Sequence, residues 1–181
     1  MRWSLAWPST EPECSDWTAR RLTTDPVQPE GGSDTYIVDL ASSEQRDSRA
    51  VFEAAAERLF RYDIFPPELM RARVCTSDGR IATDAVIVQR VRIGAFVLES
   101  AVIVVEVWRS SDDAGFAYGT LEGHPERGIS RFRVVREGPT VRLEIEAVSR
   151  PASVLTWIGR PLGRRFQRAA TRAALRHFAS G

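Results

Sequence analysis

The spacing of hydrophobic residues predicts a helix over residues 43–62. Its apolar positions recur three and four residues apart, as on one face of an amphipathic helix. These positions are Val51, Phe52, Ala55, Leu59 and Tyr62. Ser42 or Ser43 can cap the start of this helix, and the segment "FPPE" at 65–68 ends it because proline cannot continue the hydrogen-bond ladder.

Downstream, apolar and β-branched residues are arranged as in strands. The runs cover residues 71–91, 96–110, 116–121, 130–137 and 140–150. The first run contains a "DG" turn signal at Asp78 and Gly79, and the second is apolar enough for one or two central strands. The last two runs flank the turn "GP" and predict a hairpin, whose second arm alternates apolar and charged residues as a strand with one dry face does.

A second helix is predicted over residues 161–179. Its apolar stripe consists of Leu162, Phe166, Ala169, Ala170, Ala173 and Phe178. Arginine recurs every four residues on another face, which we interpret as a solvated or internally paired surface. The order of helix, antiparallel strands and long C-terminal helix indicates an α+β fold, in which a curved antiparallel sheet can wrap around that helix and leave a cavity.

Residues 1–35 form an N-terminal arm that is rich in proline, serine, threonine and acids, and residues 36–181 are predicted to form a single domain. The arm carries Trp3, Trp7 and Trp17, whereas disordered tails are poor in aromatic residues. We therefore expect part of the arm to dock on the domain or on a second subunit, and a homodimer through this arm is one expectation.

Composition excludes several kinds of chemistry. The net charge is +1, so the molecule has no overall field that would attract nucleic acid. All 25 basic residues are arginine, as in a GC-rich bacterial genome, so neither a Schiff-base nor a P-loop lysine is present. The longest apolar stretch, at 101–105, is too short for a membrane span, and no signal peptide is evident. These features predict a cytoplasmic protein.

Neither a metal nor a cofactor is expected. Cys14 and Cys75 are far apart without metal-binding spacing, and a disulfide between them stays open. The two histidines, His124 and His177, cannot build a three-histidine zinc site. The segment "GTLEGHPERG" lacks the strand and helix that surround a phosphate-binding glycine loop.

The segment "YGTLEGHPERGISRF", at 118–132, concentrates the candidate chemistry. His124 can act as a general base near neutral pH, with Glu126 as its orienting group or as an acid. The alternative, which we favour, is a tight turn in which His124 bonds to the backbone and both Gly123 and Gly128 adopt positive φ.

Tyr118 and Thr120 share a strand face with Phe116, and Gly119 would let another backbone approach closely. The Tyr118 hydroxyl can orient a ligand carbonyl or hydroxyl in an apolar cavity, or it can be a core group bonded to the backbone. Arg150 can clamp an anionic ligand. We favour instead a salt bridge from Arg150 to one of three carboxylates, those of Glu126, Glu144 and Glu146.

Two blocks, "GFAYGTLEGHPERG" at 115–128 and "SRPASVLTWIGRPLGRRFQ" at 149–167, resemble the bacterial and plant family called domain of unknown function 1990. The matching positions are Tyr118, Gly119, Thr120, His124, Pro125, Gly128, Arg150, Pro151, Leu162 and Gln167. Ile129 and Ser130 stand where the family usually has two acids. The family is also similar to the helix-grip, START-like superfamily, which implies a sheet wrapped around a long C-terminal helix with an apolar ligand cavity between them.

The resulting functional expectation is binding of an apolar or amphipathic small molecule between the sheet and the C-terminal helix. Tyr118, Thr120, His124 and Arg150 would supply the polar contacts. One alternative is an enzyme of cyclase or isomerase type that acts on a hydrophobic metabolite through His124, Glu126 or Tyr118. Another is a scaffolding protein whose arm and arginine-rich helix contact a partner.

Overall fold

The computed structural model describes residues 1–41, 47–152 and 160–179 and contains an antiparallel sheet and three helices in these ranges. The strands are β1 (Arg2–Ser4), β2 (Gly32–Ala41), β3 (Met70–Val74), β4 (Val86–Ile93), β5 (Phe96–Arg109), β6 (Asp113–Thr120), β7 (Glu126–Glu137) and β8 (Thr140–Pro151). The helices are α1 (Ser15–Thr18), α2 (Ser48–Phe60) and α3 (Arg160–Ala179). The strand order is β2-β8-β7-β6-β5-β4-β3, with β1 paired to β5.

Helix α2 is shorter than predicted at both ends. Its N-cap is Asp47, whose carboxylate accepts hydrogen bonds from the backbone of Arg49 at 3.0 Å and Ala50 at 3.2 Å. The predicted caps Ser42 and Ser43 lie outside the described residues. Tyr62 falls beyond the last helical residue and has a φ of 59°.

The predicted hairpin is confirmed as β7 and β8, which pair along their whole length around a turn at Gly138. The run at 96–110 forms the single strand β5, with a register shift between Val104 and Glu106. Gly79 has positive φ, but the "DG" turn lies within a longer connection between β3 and β4 and does not close a two-residue hairpin.

The inner face of the sheet packs against α2 and α3. Its apolar residues include Phe116, Phe132, Val134, Val141, Leu143 and Ile145. Phe52 and Leu59 from α2 complete this core together with Ala174 and Phe178 from α3. Phe178 is buried as predicted, whereas Ala169 is exposed. The α+β architecture with a curved antiparallel sheet and a C-terminal helix is therefore confirmed.

The N-terminal arm lies on the outer face of the same sheet. Trp17 is fully buried there in a second apolar cluster, with Val86, Val88, Ala101 and Leu121. A disulfide joins Cys14 to Cys75, with Cα atoms 5.8 Å apart. The guanidinium groups of Arg71 and Arg92 each lie over the ring of Trp7. The arm thus docks on its own domain, one of the two placements expected, and a homodimer through it stays a prediction.

Candidate functional site

Four neutral polar side chains meet inside the aromatic part of the inner face, and we call them the hydroxyl–amide cluster. They are Tyr62, Gln89, Tyr118 and Ser130. The Gln89 Nε2 atom donates a hydrogen bond of 2.6 Å to the Tyr62 hydroxyl. Tyr118 packs beside Tyr62, with ring centroids 6.5 Å apart, and its hydroxyl interacts with the polar side chains of Gln89 and Ser130. The cluster therefore connects β4, β6 and β7 with the segment that follows α2.

The sheet register brings the strand members of the cluster together. Tyr118 and Ser130 are direct partners in the β6–β7 ladder, and Tyr118 is also opposite Val104 of β5. Gln89 is opposite Ser100 in the β4–β5 ladder and points to the same face as its neighbour Ile87 two residues away. The period of two in these strands therefore places the amide and the hydroxyls on one side of the sheet.

Tyr62 reaches the cluster from a helix terminus where glycine is the usual residue. Its N–H donates to the carbonyl of Leu59 and that of Asp63 donates to Arg58, each at 3.0 Å, which is the hydrogen-bond pattern of a Schellman motif. The left-handed backbone of a non-glycine residue in this position costs about 1–2 kcal/mol. The side chain that this backbone presents is buried, and it contacts both Gln89 and Tyr118.

Both phenols are kept neutral by their surroundings. Burial raises the pKa of Tyr62 well above its ordinary value of 10, and the neighbouring Tyr118 adds to the effect. Burial also raises the pKa of Tyr118, and the negative charge of Glu126 raises it further. The two hydroxyls therefore act as hydrogen-bonding groups at neutral pH, and neither is poised to lose its proton.

The inner face is sealed under α2 but partly accessible near the start of β7. Phe116 and Phe132 stack with ring centroids 5.2 Å apart, and Tyr118 lies 5.3 Å from Phe132. Beyond these rings, the inner-face side chains are only half-buried, and we call this region the open end. It comprises Asp34, Tyr36, Tyr118, Glu126, Ser130, Ala147 and Ser149. The cluster thus lies at the border between a dry core and an accessible surface.

Glu126 is one of two acidic residues at the open end, and it precedes Ser130 on the same face of β7. The Ser149 hydroxyl donates a hydrogen bond of 3.1 Å to its Oε2 atom. The pKa of Tyr118 is raised chiefly by burial, and the charge of Glu126 adds a smaller contribution. Tyr118 and Glu126, two of the predicted catalytic residues, are therefore brought to the same region.

His124 lies in the loop before β7. The backbone N–H of His124 donates to the carbonyl of Leu121 at 3.0 Å. The Nδ1 atom of its ring lies 3.0 Å from the carbonyl oxygen and 3.1 Å from the backbone nitrogen of Glu126. Burial lowers the pKa of His124 from 6.5 to about 4, so the ring is neutral at neutral pH. The ring borders a surface hollow of about 310 Å³ that Met1 and Thr23 of the arm also line. The recorded contact between His124 and Glu126 thus involves the backbone, as the turn interpretation predicted.

The two glycines of this turn differ. Gly123 has a φ of 89°, as predicted. The positive φ predicted for Gly128 is wrong, because Gly128 lies in β7 with ordinary strand geometry. A Cβ atom at Gly128 would lie 2.2 Å from the carbonyl oxygen of Val148, so glycine is needed there for close strand packing. The sequence predicted that another backbone would approach Gly119 closely. In the structure, the group that approaches Gly119 is the side chain of Leu22.

Thr120 and Arg150 lie apart from the open end. The buried Thr120 hydroxyl accepts from the N–H of Gly128 at 3.1 Å and bonds to the Thr23 hydroxyl at 2.6 Å, which ties the arm to β6. Arg150 points to the outer face and its side chain is 52% exposed. The recorded ion pair of Arg150 is with Glu30, at 3.1 Å, and not with any of the three carboxylates considered from the sequence.

Sequence reasoning missed Tyr62 and Gln89 as site residues and noted Ser130 only as a departure from a family pattern. The signal for Gln89 was present, because it is a polar residue inside the apolar run "AVIVQRV". The side chains of three family-motif residues, Pro151, Leu162 and Gln167, lie outside the described residues.

Metal binding and membrane insertion find no support among the residues that the structure describes. Within ranges 1–41, 47–152 and 160–179, no three or more metal-ligating side chains come together. Over the same part of the chain, no helix has the length and hydrophobicity needed to cross a membrane.

Solved structures define the class of this fold. A hypothetical protein of Helicobacter pylori is 9% identical with a TM-score of 0.54, and the alignment covers 98% of each chain. A protein of Thermus thermophilus is 9% identical with a TM-score of 0.52 over 82% of this chain and 95% of the other. A norcoclaurine synthase point mutant from Thalictrum, solved with a transition-state analogue, is 13% identical with a TM-score of 0.50 over 83% and 98%. The chain has the helix-grip fold.

The family assignment follows from sequence. The model of the family called domain of unknown function 1990 matches residues 24–177, and this chain belongs to that family. No protein of the curated set matches the chain significantly. The resemblance stated from the two sequence blocks is therefore confirmed, and the match also includes the end of the arm.

Proposed function

We propose that this protein binds an apolar or amphipathic small molecule at the open end of the inner face, between the sheet and α3. The observation that carries this proposal is the hydroxyl–amide cluster at the border of the accessible region. Ligand sites in proteins combine a mainly apolar and aromatic lining with a few placed polar groups. At the open end the half-buried Tyr36, Tyr118 and Ala147 supply aromatic and apolar surface, and Ser130 adds a polar group.

The energetic cost of the cluster supports a binding role. Replacing both partners of a buried hydrogen bond by apolar side chains of the same shape can be nearly neutral for stability, so stability alone does not require this cluster. Tyr62 adds the cost of a left-handed backbone. A hydrogen bond to a polar ligand would give the polar side chains of the cluster a role in binding, in addition to their role in packing.

The predicted ligand contacts take different roles in this proposal. Tyr118 contacts the ligand directly, and Glu126 borders the same region. Thr120 and His124 hold β6, β7 and the arm in place around the open end. Arg150 lies on the outer face, where it forms an ion pair with Glu30 and does not contact the ligand.

Catalysis in the same region has less support than binding. The raised pKa of Tyr118 makes its hydroxyl a weak acid and leaves little phenolate at neutral pH. His124, with a pKa of about 4, is a weak base whose Nδ1 atom already contacts the backbone of Glu126. The arrangement therefore favours orientation of a polar group over transfer of a proton.

A pair of adjacent substitutions on β8 tests the proposed position of the site. Ala147 is half-buried at the open end, whereas Glu146 is exposed on the outer face. We expect Ala147→Phe to abolish binding of the neutral apolar dye Nile red, measured by its fluorescence, and Glu146→Phe to leave binding unchanged. Absence of dye binding to the unmodified protein, or equal effects of the two variants, would refute the proposed site.

A further inference from the structure

We propose that this protein docks on membrane surfaces that contain anionic lipids, through the tip of the β4–β5 hairpin and the adjacent start of the arm. This surface is separate from the open end, and the inference does not depend on the proposed ligand site. It rests on two independent features. One is an exposed apolar patch, and the other is a pair of arginines that have no carboxylate partner among the described residues.

The exposed apolar patch lies at the end of the hairpin, and we call it the tip patch. It comprises Trp3, Leu5 and Phe96, whose exposed fractions are 54%, 75% and 47%. Trp3 is opposite Leu98 in the β1–β5 ladder, and Phe96 is two residues from Leu98, so both aromatic side chains project from the same side of the sheet. Their rings meet edge to face with centroids 6.3 Å apart. Adjoining exposed apolar side chains of this kind mark surfaces that contact a partner or a membrane.

The tip patch projects from the domain. The turn residues Gly94 and Ala95 are exposed together with Phe96, and Leu5 is exposed directly after β1. A projecting tip can insert between lipid head groups. Tryptophan is enriched at that depth of a membrane because its ring combines an apolar body with a polar N–H group.

Two arginines beside the tip patch supply positive charge. The guanidinium carbon of Arg71 lies 4.5 Å from the ring centroid of Trp7, and that of Arg92 lies 5.2 Å from it. Both arginines are exposed, and within the described part of the chain neither forms an ion pair. Arg71 is also directly opposite Arg90 in the β3–β4 ladder, and like charges in this arrangement are destabilising. Glu99 pairs with Arg90 at 2.7 Å, so the charge of Arg71 is left to an external anion.

Other charged groups near this end of the sheet do not neutralise the two arginines. Glu11 pairs with Arg73 at 3.3 Å. Glu13 and Glu68 are exposed, and neither forms an ion pair with Arg71 or Arg92 within the ranges that the structure describes. Both guanidinium groups are therefore available to a negatively charged surface.

The tip patch and the arginines fit one partner. Arg92 is opposite Val97 in the β4–β5 ladder, directly after Phe96 in sequence, so its charge lies beside the patch. An anionic membrane presents phosphate and carboxylate oxygens at its surface, where arginine is attracted, and apolar chains beneath them. A hydrophilic acidic partner would satisfy the arginines but would leave the tip patch exposed to water.

Co-sedimentation with lipid vesicles tests the inference. The vesicles consist of phosphatidylcholine alone, or of phosphatidylcholine and phosphatidylserine in a ratio of about 2:1. We expect at least about tenfold tighter binding to the anionic vesicles, and weaker binding as the ionic strength rises. Absence of binding to the anionic vesicles, or equal binding to both kinds, would overturn the inference. Nile red binding without vesicles tests the proposed function separately.

A pair of double variants with the same change in net charge tests the role of the arginines. Arg71→Gln/Arg92→Gln should weaken binding to the anionic vesicles by about 25-fold, because each arginine near such a surface contributes about fivefold. Arg172→Gln/Arg176→Gln, at exposed positions of α3, should leave binding unchanged. Equal effects of the two double variants would contradict the proposed surface.

Serine substitutions test the tip patch. Phe96→Ser should weaken vesicle binding by about tenfold, the effect of withdrawing one large side chain from an apolar environment. Ile37→Ser is the matched control, because Ile37 is 54% exposed on β2, and it should have no effect. Equal effects of these two variants would contradict the role of the patch. A dimer that Phe96→Ser dissociates, without vesicle binding by the unmodified protein, would assign the tip patch to a second copy and overturn the inference.

Discussion

The disulfide between Cys14 and Cys75 should make a large contribution to stability, because it closes a loop with a sequence separation of 61 residues. This loop contains β2 and α2, so its ordering is part of global folding and does not concern the arm alone. Cross-linking a loop of this size lowers the conformational entropy of the unfolded chain by an amount equivalent to about 4 kcal/mol at 25 °C. We therefore expect the double variant Cys14→Ser/Cys75→Ser to lose about 3–4 kcal/mol of unfolding free energy.

Urea unfolding followed by tryptophan fluorescence measures this loss. The unmodified protein in a reducing agent is the matched control, since it should lose the same amount without any substitution. Its intact mass should also rise by about 2 Da on reduction, the mass of two hydrogens. A double variant with an unchanged midpoint and slope would refute the reasoning. The disulfide is not expected for the predicted cytoplasmic location, because the thiols of cytosolic proteins are usually kept reduced.

Three further predictions concern single residues. Asp47→Ala should cost about 1 kcal/mol of unfolding free energy through loss of the α2 N-cap, and Asp47→Asn should restore most of it in urea titrations; equal losses in the two variants would contradict the capping role. Gly128→Ala should cost about 1–3 kcal/mol because its Cβ would meet the Val148 carbonyl, and a loss below about 0.5 kcal/mol would argue against that packing. The pKa of His124 is about 4 in the folded protein against 6.5 when unfolded, so the unfolded chain binds more protons between these values and stability should fall as pH drops from 6.5 towards 4, by about 3 kcal/mol at most. His124→Asn should flatten this part of the stability profile, and an identical profile would show that His124 does not carry the effect.

The strands after α2 were predictable because they have local signatures, whereas β1 and β2 were not predicted. In β8 the apolar residues Val141, Leu143 and Ile145 alternate with charged ones, and the structure buries the apolar set. The bulge between Val104 and Glu106 in β5 was not predicted, because residues 101–105 are apolar at every position and show no alternation that an extra residue would break.

The hydroxyl–amide cluster was only partly predictable because its members are distant in sequence. Tyr62 fits a helical repeat, and its placement outside α2 depends on the hydrogen bonds of the helix terminus. Its partner Gln89 is 27 residues away. His124 had the right residue type for a base, but its low pKa arises from burial that no local pattern indicates. Tyr118 was identified because it belongs to a strand with a clear inward face.

The central claim, that a ligand binds at the open end of the inner face beside Tyr118, is tested most directly by NMR. Titration of the ¹⁵N-labelled protein with 2-decanone should shift the backbone amide signals of residues at the open end, chiefly Tyr118, Glu126, Ser130 and Ala147. Amides on the outer face, such as that of Arg131, should remain in place. Shifts confined to the outer face or to the hollow between Met1 and His124 would contradict the account.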